Sequence, residues 1–219
     1  MSEACLTCKA LTFGYGEPLS EPLDWEVKPG EFWAVAGPNG CGKTTLFKTL
    51  LGFLKPMDGR VVRTDSCAYV AQLSDELFAA PARVCDVVCI GLDRRQTWFK
   101  PFYRRGQRSA LSEVLSSFEL EDLKNRQVGE ISPGERQRVL MAQALISRPK
   151  LVFLDEAASA MDPKHAVMAY QKMAEAVENT QASVIAITHH LDVLADLATH
   201  ILRFDQGKIA QSEVKKEKK

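Results

Sequence analysis

Short apolar runs alternate with longer amphipathic stretches along much of the chain. Four runs are almost wholly apolar, as in strands that are buried on both faces: residues 32–36, 68–71, 151–154 and 184–187. The segment that follows the first run repeats Leu and Phe from Leu46 to Leu54 at the spacing of one helix face, and a helical stretch separates the last two runs. Strands that alternate with helices predict an α/β fold with a mainly parallel sheet covered on both faces.

Two other regions depart from this alternation. Residues 201–210 contain an Asp-Gln-Gly turn, which predicts a closing β-hairpin. Residues 73–147 carry no strand pattern and are predicted to be helical. We therefore expect a single domain over residues 1–219, with a core formed by residues 1–72 and 148–219 and an inserted helical subdomain at 73–147.

Composition favours a cytosolic globular protein. The 219 residues are 46% hydrophobic, and 28 Lys and Arg balance 28 Asp and Glu, so we expect a sizeable core and no nucleic-acid partner. No apolar run approaches the ~20 residues of a membrane span, and the first ten residues lack a signal-peptide core. Cys5 and Cys8 form a C-x-x-C pair with no second pair to complete a zinc site. Cys85 and Cys89, one helical turn apart, are interpreted as half-buried apolar residues.

A glycine-rich phosphate loop (P-loop) follows the first apolar run. Its sequence GPNGCGKTT fits the pattern G-x-x-x-x-G-K-[ST], between a predicted strand and a predicted helix. Glycines let backbone N–H groups surround phosphate oxygens, Lys43 would reach the β- and γ-phosphates, and Thr44 would ligate Mg²⁺. The expected nucleotide contacts are Gly37, Pro38, Asn39, Gly40, Cys41, Gly42, Lys43, Thr44 and Thr45. The loop alone indicates a nucleoside triphosphate and leaves kinases, GTPases and ATPases open.

Two carboxylates directly follow the apolar run at 151–154. A parallel strand would deliver Asp155 and Glu156 to the carboxyl edge of the sheet, where α/β folds bind their ligands. We expect Asp155 to hold Mg²⁺, directly or through water. A second carboxylate beside it suits polarisation of an attacking water, which we assign to Glu156.

With these two motifs and five other features, the chain resembles the nucleotide-binding subunits of ATP-binding-cassette (ABC) transporters over nearly its whole length. The other motifs occur in the family's order around the P-loop and the acidic strand end. They are Tyr15 in LTFGYG, Gln72 in CAYVAQ, the signature stretch ISPGERQRVLMAQAL, Asp162 at the end of LDEAASAMD, and His189 in ITHH. The resemblance implies a P-loop NTPase core with an antiparallel β part and an inserted helical subdomain.

The resemblance also implies a role for each of these residues. Tyr15 would stack on adenine, and Gln72 would sense Mg²⁺ and the γ-phosphate. His189 would be the switch histidine, although His190 beside it is an alternative from the residues alone. Two subunits of this family pair head to tail, so the signature helix would bind the γ-phosphate held by the neighbour's P-loop. The residues expected beside that second nucleotide are Ser132, Gly134, Glu135 and Asp162.

The function that the resemblance implies is ATP hydrolysis coupled to membrane transport, with ATP and Mg²⁺ as cofactors. Its expected partners are a second, identical ATPase subunit, transmembrane permease subunits and a substrate-binding protein. We expect the chain to lie on the cytoplasmic face of the inner or plasma membrane. The residues between Gly91 and Leu115 also resemble importer subunits for manganese, zinc or iron, including iron chelates.

Three positions depart from the family pattern. Pro133 replaces the first glycine of the usual Leu-Ser-Gly-Gly-Gln signature and removes one N–H donor. Glu135 replaces the glutamine and adds a negative charge near the phosphates. Ala157 stands where proline often follows the catalytic glutamate. Our hypothesis is a working site with a weakened signature contact.

Alternatives remain for the partner and for the reaction. Residues 91–115 mix basic side chains with Trp98, Phe99, Phe102 and Tyr103, which suits nucleic acid, a solvated loop or, by resemblance, the groove for a permease coupling helix. The first alternative function is that of a soluble ABC ATPase. Such proteins usually carry two cassettes or a coiled-coil insertion, whereas this chain has one cassette and no heptad run. A P-loop kinase would not need the signature stretch or Asp162.

Overall fold

The computed structural model describes residues 4–72, 81–92, 105–188, 194, 196–205 and 207–214. Eleven strands are present in these residues: β1 (Leu6–Thr12), β2 (Gly14–Tyr15), β3 (Glu17–Pro18), β4 (Leu23–Val27), β5 (Phe32–Ala36), β6 (Asp58–Arg63), β7 (Cys67–Val70), β8 (Leu151–Asp155), β9 (Ser183–Ile187), β10 (His200–Asp205) and β11 (Lys208–Glu213). Five α-helices accompany them: α1 (Lys43–Leu51), α2 (Val84–Ile90), α3 (Arg105–Ser117), α4 (Pro133–Leu145) and α5 (Pro163–Thr180).

The main sheet has six strands in the order β11-β10-β5-β9-β8-β7. The pairs from β10 to β7 are parallel, and β11 adds an antiparallel edge through the predicted hairpin. All five residues of β5, β8 and β9 are buried, as expected for parallel strands covered on both faces. The predicted fold class is therefore confirmed.

Helix α1 is shorter than the apolar repeat suggested. It ends at Leu51 because Gly52 adopts a left-handed backbone with φ of 83°, and the Gly52 and Phe53 N–H groups bond back to the last carbonyls. Helix α5 runs from Pro163 to Thr180, between β8 and β9, where the sequence predicts a helical stretch.

Two apolar cores lie on opposite faces of the main sheet. One joins the sheet to α2, α3, α4 and α5, and the other joins it to α1 and a three-stranded antiparallel sheet in the order β4-β1-β6. Trp25 and Trp33 meet edge to face in the second core, with ring centroids 5.2 Å apart. Because helices α2 to α4 share their core with one sheet face, the division at residues 73–147 stays a prediction.

Arg63 connects the antiparallel sheet to the helix that follows the P-loop. From the end of β6, its guanidinium donates to the carbonyl oxygens of Leu50 and Leu51, each at 3.0 Å, and to Cys67 Sγ at 2.9 Å. It thereby satisfies two of the carbonyls that a helix leaves free at its C-terminus.

The buried thiols at the N-terminus belong to the fold. Cys5 and Cys8 are both buried around β1, and burial, with a smaller contribution from Asp24, raises the pKa of Cys8 to about 12. Cys85 and Cys89 lie in α2 and are half-buried, as predicted. Within the described ranges, no helix combines the length and the apolar character that crossing a bilayer requires.

Candidate active site

The P-loop lies between β5 and α1, and three glycines give it its shape. Gly37, Gly40 and Gly42 have φ values of 153°, 77° and 102°, which other residues rarely adopt. A Cβ at Gly37 would come within 2.7 Å of Phe204 Cβ, so the loop has no room for a side chain there. Helix α1 then begins from Gly42 without a side-chain cap, which leaves its first N–H groups available to an anion.

Lys43 is held inside this loop. Its ammonium donates to the carbonyl oxygens of Gly37 at 2.9 Å and Pro38 at 2.8 Å, and the side chain is only 6% exposed. Phosphate oxygens carry more charge than these carbonyls, so the same ammonium can bind a triphosphate that enters the loop. Thr44, next along the helix, is exposed.

Asp155 ends β8 and is almost fully buried. Its Oδ2 accepts a hydrogen bond from the Tyr69 hydroxyl at 3.3 Å. Burial raises the pKa of Asp155 above its ordinary value and Glu156 adds to the shift, while Tyr69 and Lys43 oppose it. Burial and Asp155 together raise the pKa of Tyr69 to about 12, so this phenol stays a donor.

Tyr69 is a site residue that the sequence analysis missed. It lies on β7, which pairs with β8 in parallel and places Tyr69 beside Phe153. The signal that could have found it is its position three residues before Gln72, on the strand that also delivers that glutamine.

Glu156 and Gln72 meet at the same edge of the sheet. Gln72 Nε2 donates to Glu156 Oε2 at 3.1 Å. Glu156 has a left-handed backbone with φ of 50°, and its N–H bonds to the Ile187 carbonyl at 3.0 Å. The structure thus places the predicted P-loop, Asp155, Glu156 and Gln72 at the carboxyl ends of the parallel strands β5, β8 and β7, along one edge of the sheet.

Tyr15 lies near this edge on a small hairpin formed by β2 and β3. The side chain is 65% exposed, as an aromatic platform for a base must be. The hairpin leads to Leu19, whose Cδ1 would lie 3.1 Å from a Cβ added at Gly42. The segment that carries Tyr15 therefore approaches the P-loop.

The signature stretch starts α4 with a capping box. Ser132 Oγ accepts from the Glu135 N–H at 3.3 Å, and the Glu135 carboxylate accepts from the Ser132 N–H at 2.7 Å. Burial raises the pKa of Glu135, but the stronger combined effect of its Ser132 hydrogen bonds and of Arg138 and Arg126 holds it below its ordinary value. Pro133 occupies the first helical position, where a missing N–H is tolerated.

The signature helix begins against the loop that follows Glu156. A Cβ at Gly134 would lie 3.4 Å from the Ala160 carbonyl oxygen and 3.6 Å from Met161 Cα. Asp162 ends that loop by capping α5, accepting from the N–H groups of Lys164 and His165 at 3.1 and 3.2 Å. His165 Nδ1 lies 2.5 Å from Asp162 Oδ2, and this contact is the main reason that the pKa of Asp162 is lowered.

Two predicted features lie outside the described residues. His189 directly follows Thr188, the last described residue before the gap at 189–193. The aromatic residues Trp98, Phe99, Phe102 and Tyr103 of the basic segment also fall outside the described ranges. Their roles stay predictions.

Known proteins resemble this chain along most of its length. The zinc uptake ATP-binding protein ZnuC of Bacillus subtilis (strain 168) is 29% identical over 212 residues, which cover 92% of this chain and 91% of that protein. A Helicobacter pylori protein named for iron chelatin transport and ATP binding is 30% identical over 219 residues, covering 93% of this chain and 85% of that protein. A solved metal-chelate type ABC transporter in an inward-facing conformation is 27% identical, with a TM-score of 0.85, and covers 97% of this chain and 84% of that chain.

The family comparison agrees with these similarities. The family described as ABC transporter matches residues 20–159, which include the P-loop, the signature stretch and the acidic end of β8. This match spans well over half of the chain. The chain therefore belongs to the ABC transporter family, as an ATP-binding subunit with ATPase activity.

Proposed function

We propose that this chain, as a head-to-tail homodimer on the cytoplasmic face of a membrane, hydrolyses ATP to drive import of a metal ion or a metal chelate. Permease subunits would form the pathway, and a substrate-binding protein would deliver the cargo. The observation that carries the proposal is the presence of two separate half-sites in one chain: the P-loop edge of the sheet and the N-terminus of α4.

The P-loop edge suits Mg·ATP. Mg²⁺ prefers oxygen ligands and usually binds through one or two carboxylates together with substrate phosphates. Thr44 offers a hydroxyl, Asp155 a carboxylate and Gln72 an amide oxygen, and these three residues would hold the ion. When bound, Mg²⁺ would neutralise charge that develops on the phosphates.

Hydrolysis would use groups that already lie side by side. Glu156 would orient the attacking water and accept its proton, with Gln72 holding the carboxylate at 3.1 Å. Lys43 would stabilise the charge that develops on the γ-phosphoryl group. His189 is proposed as a further γ-phosphate contact, and Tyr15 as the platform for adenine.

The second half-site would complete the neighbour's nucleotide site. Ser132 and the Gly134 N–H lie at the N-terminus of a 13-residue helix, whose positive end favours an anion. In a head-to-tail dimer, this end would face the γ-phosphate held by the other chain's P-loop, with Asp162 close by. Two chains would then enclose two ATP molecules, and closure and reopening would move the permease.

A cleft between β7 and α4 supports a permease contact. Its volume is about 510 Å³, and Tyr69, Gly91 and Leu140 are among its lining residues. Two large apolar side chains flank it. Phe53 is 72% exposed and lies edge-on to the Tyr69 ring at 6.1 Å, and Ile90, beside Gly91, is 60% exposed. Exposed apolar side chains around a cleft are typical of a protein–protein contact.

The cargo is inferred from the relatives. The Bacillus subtilis protein is named for zinc uptake, the Helicobacter pylori protein for iron chelatin transport, and the solved structure for metal-chelate transport. We extend this to zinc, manganese, iron or an iron chelate as the imported substrate of this chain.

A mixing experiment tests the dimer. Ser132→Asp keeps a good N-cap residue but places a negative charge at the proposed phosphate contact, and Glu156→Gln removes the proposed base. Each variant alone should be inactive. A mixture should recover about a quarter of wild-type ATPase activity, because half the dimers are mixed and each of those holds one intact site.

No recovery on mixing, with a rate that rises linearly with chain concentration, would support a site complete within one chain. In that case the proposed head-to-tail dimer would be wrong, and a single chain would hydrolyse ATP by itself.

A cellular experiment tests the transport step. Cells that carry Glu156→Gln should accumulate less zinc, manganese or iron than wild-type cells, as measured by elemental mass spectrometry. The tagged wild-type chain should also co-purify with a polytopic membrane protein in mild detergent. Unchanged content of all three metals and recovery without such a partner would favour a soluble ABC ATPase.

A further inference from the structure

Gln137 connects the signature helix to the loop that follows Glu156. It lies on α4 and is 1% exposed, so its amide must be satisfied within the protein. Its Nε2 donates to Ser159 Oγ at 3.2 Å, and its Oε1 accepts from the Ala160 N–H at 3.0 Å. The nitrogen and the oxygen of this one amide thus bind two consecutive residues of the loop, Ser159 and Ala160.

This stretch is itself tied to the proposed catalytic carboxylate. The Ser159 N–H bonds to the Glu156 carbonyl at 3.0 Å, which closes a turn between them. On the other side, Gly134 packs directly against Ala160 and Met161. The start of α4 and the loop from Glu156 to Asp162 therefore form one hydrogen-bonded unit in each chain.

The two ends of this unit would serve different nucleotides. Glu156 would act on the ATP in the P-loop of its own chain, whereas Ser132 and Gly134 would contact the ATP of the neighbour. A displacement caused by either nucleotide would pass through Gln137 to the other site, because a helix and a clamped loop move together.

We propose that Gln137 is a positioning residue that couples the two ATP sites of the dimer. The inference rests on the head-to-tail arrangement proposed above. Gln137 would contact neither nucleotide and would act through Ser159 and Ala160. Cooperativity between two sites requires that binding at one changes the state of the other, and this clamp supplies a physical connection.

The test is the Hill coefficient for ATP in steady-state hydrolysis. Gln137→Leu keeps the side chain's bulk and removes both hydrogen bonds. We expect the Hill coefficient to fall from nearly 2, the limit for two sites, to about 1. The turnover number should fall between about ten- and a hundredfold, because Glu156 loses its fixed position.

Two further variants separate coupling from simple packing. Gln137→Glu can accept both from the Ala160 N–H and from the Ser159 hydroxyl, so it should restore most of the Hill coefficient. Gln171→Leu makes the same substitution at an exposed position of α5 and should leave the Hill coefficient unchanged. Thermal midpoints of all variants report stability independently.

The outcomes are distinguishable. A wild-type Hill coefficient near 2 that persists in Gln137→Leu, with a lowered thermal midpoint, would limit Gln137 to a packing role and overturn the proposal. An equal loss in Gln171→Leu would also overturn it. If the wild type shows no cooperativity and the mixing experiment shows no recovery, both the proposed dimer and the proposed coupling would be wrong.

Discussion

Helices α1 and α4 both begin beside a glycine, and both are proposed to face a phosphate, but their first turns are built differently. Helix α1 starts from Gly42 with no side-chain cap and no acidic residue in its first turn. Helix α4 starts with a reciprocal cap between Ser132 and Glu135, and with a proline that has no N–H. The first arrangement leaves its N–H donors for a ligand, whereas the second has one N–H fewer and uses another within the chain.

This difference suggests that α1 and α4 contribute differently to nucleotide binding. In the first turn of α4, Pro133 has no N–H and the Glu135 N–H is bonded to Ser132 Oγ, so the Gly134 N–H is the one left for a phosphate. The Glu135 carboxylate adds a negative charge at the same end. We infer that α1 supplies the nucleotide affinity and that α4 supplies one further contact when two chains meet.

The largest expected effect separates these two contributions. Lys43→Met removes the ammonium from the P-loop, and we expect both ATP affinity and turnover to fall, the latter by about 10²- to 10³-fold. Ser132→Asp should reduce turnover to a similar extent but leave ATP affinity of the isolated chain unchanged. Titration with a fluorescent ATP analogue distinguishes the two. Equal loss of affinity in both variants would contradict the division between α1 and α4.

A smaller effect is expected when α4 regains a donor. Pro133→Gly and Pro133→Ala both restore an N–H, and one additional hydrogen bond of about 1 kcal/mol should raise turnover roughly fivefold. Because proline also restricts the unfolded chain, the Pro133→Gly variant should unfold at a lower temperature. Steady-state ATPase assays and thermal melts measure both. Unchanged or lower turnover in both variants would show that the missing donor does not limit this site.

Tyr69→Phe tests the P-loop edge more gently. It removes the hydroxyl that holds Asp155 Oδ2, while β7 and the packing of the ring are kept. A hydrogen bond to a charged group contributes about 1.5–3 kcal/mol, and part of that should be recovered by water, so we expect a three- to tenfold rise in the Mg²⁺ concentration needed for half-maximal ATP binding. Binding of ATP in EDTA should not change. An equal loss of affinity with and without Mg²⁺ would argue for a general packing effect.

The smallest effect concerns the cap of α5. The pKa of Asp162 is lowered from 3.8, mainly by the His165 hydrogen bond, so its stabilising contribution is present above pH 4 and is lost as the pH falls through the lowered value. Asp162→Asn keeps a good N-cap and removes the charge. The thermal midpoint of the wild type should exceed that of the variant near pH 6, and the difference should disappear in acid. A difference that does not shrink as the pH falls below 3.8 and further into acid would exclude this titration as its source.

Much of the fold could be predicted because buried parallel strands are written as continuous apolar runs. Strands β5, β8 and β9 appear directly in the sequence, and the helix after the P-loop follows from its repeat. The antiparallel sheet has a weaker pattern in the sequence. In β1 the register shifts around Ala10, whose φ of 45° breaks the alternation, although β4 alternates strictly as Leu-Asp-Trp-Glu-Val.

The residues of the candidate site likewise fall into two groups: those that a sequence motif predicts and those that only the structure identifies. Motifs such as GPNGCGKTT identify the P-loop because its glycines and lysine are fixed by the backbone path around a phosphate. Tyr69 and Gln137 carry no such motif of their own, and their importance depends on which side chain the folded chain places opposite them. Their partners are 86 and about 22 residues away in sequence.

Through Arg63, ATP bound at the P-loop would also affect the stability of a sheet outside the nucleotide site. This guanidinium, at the end of β6, binds the last carbonyls of α1. We therefore expect the antiparallel sheet and helix α1 to open together. A ligand that binds only the closed helix must therefore also lower the population of the state in which β6 is open. The antiparallel sheet contains none of the proposed catalytic residues. Through Arg63, part of the free energy of ATP binding would nevertheless stabilise it against opening.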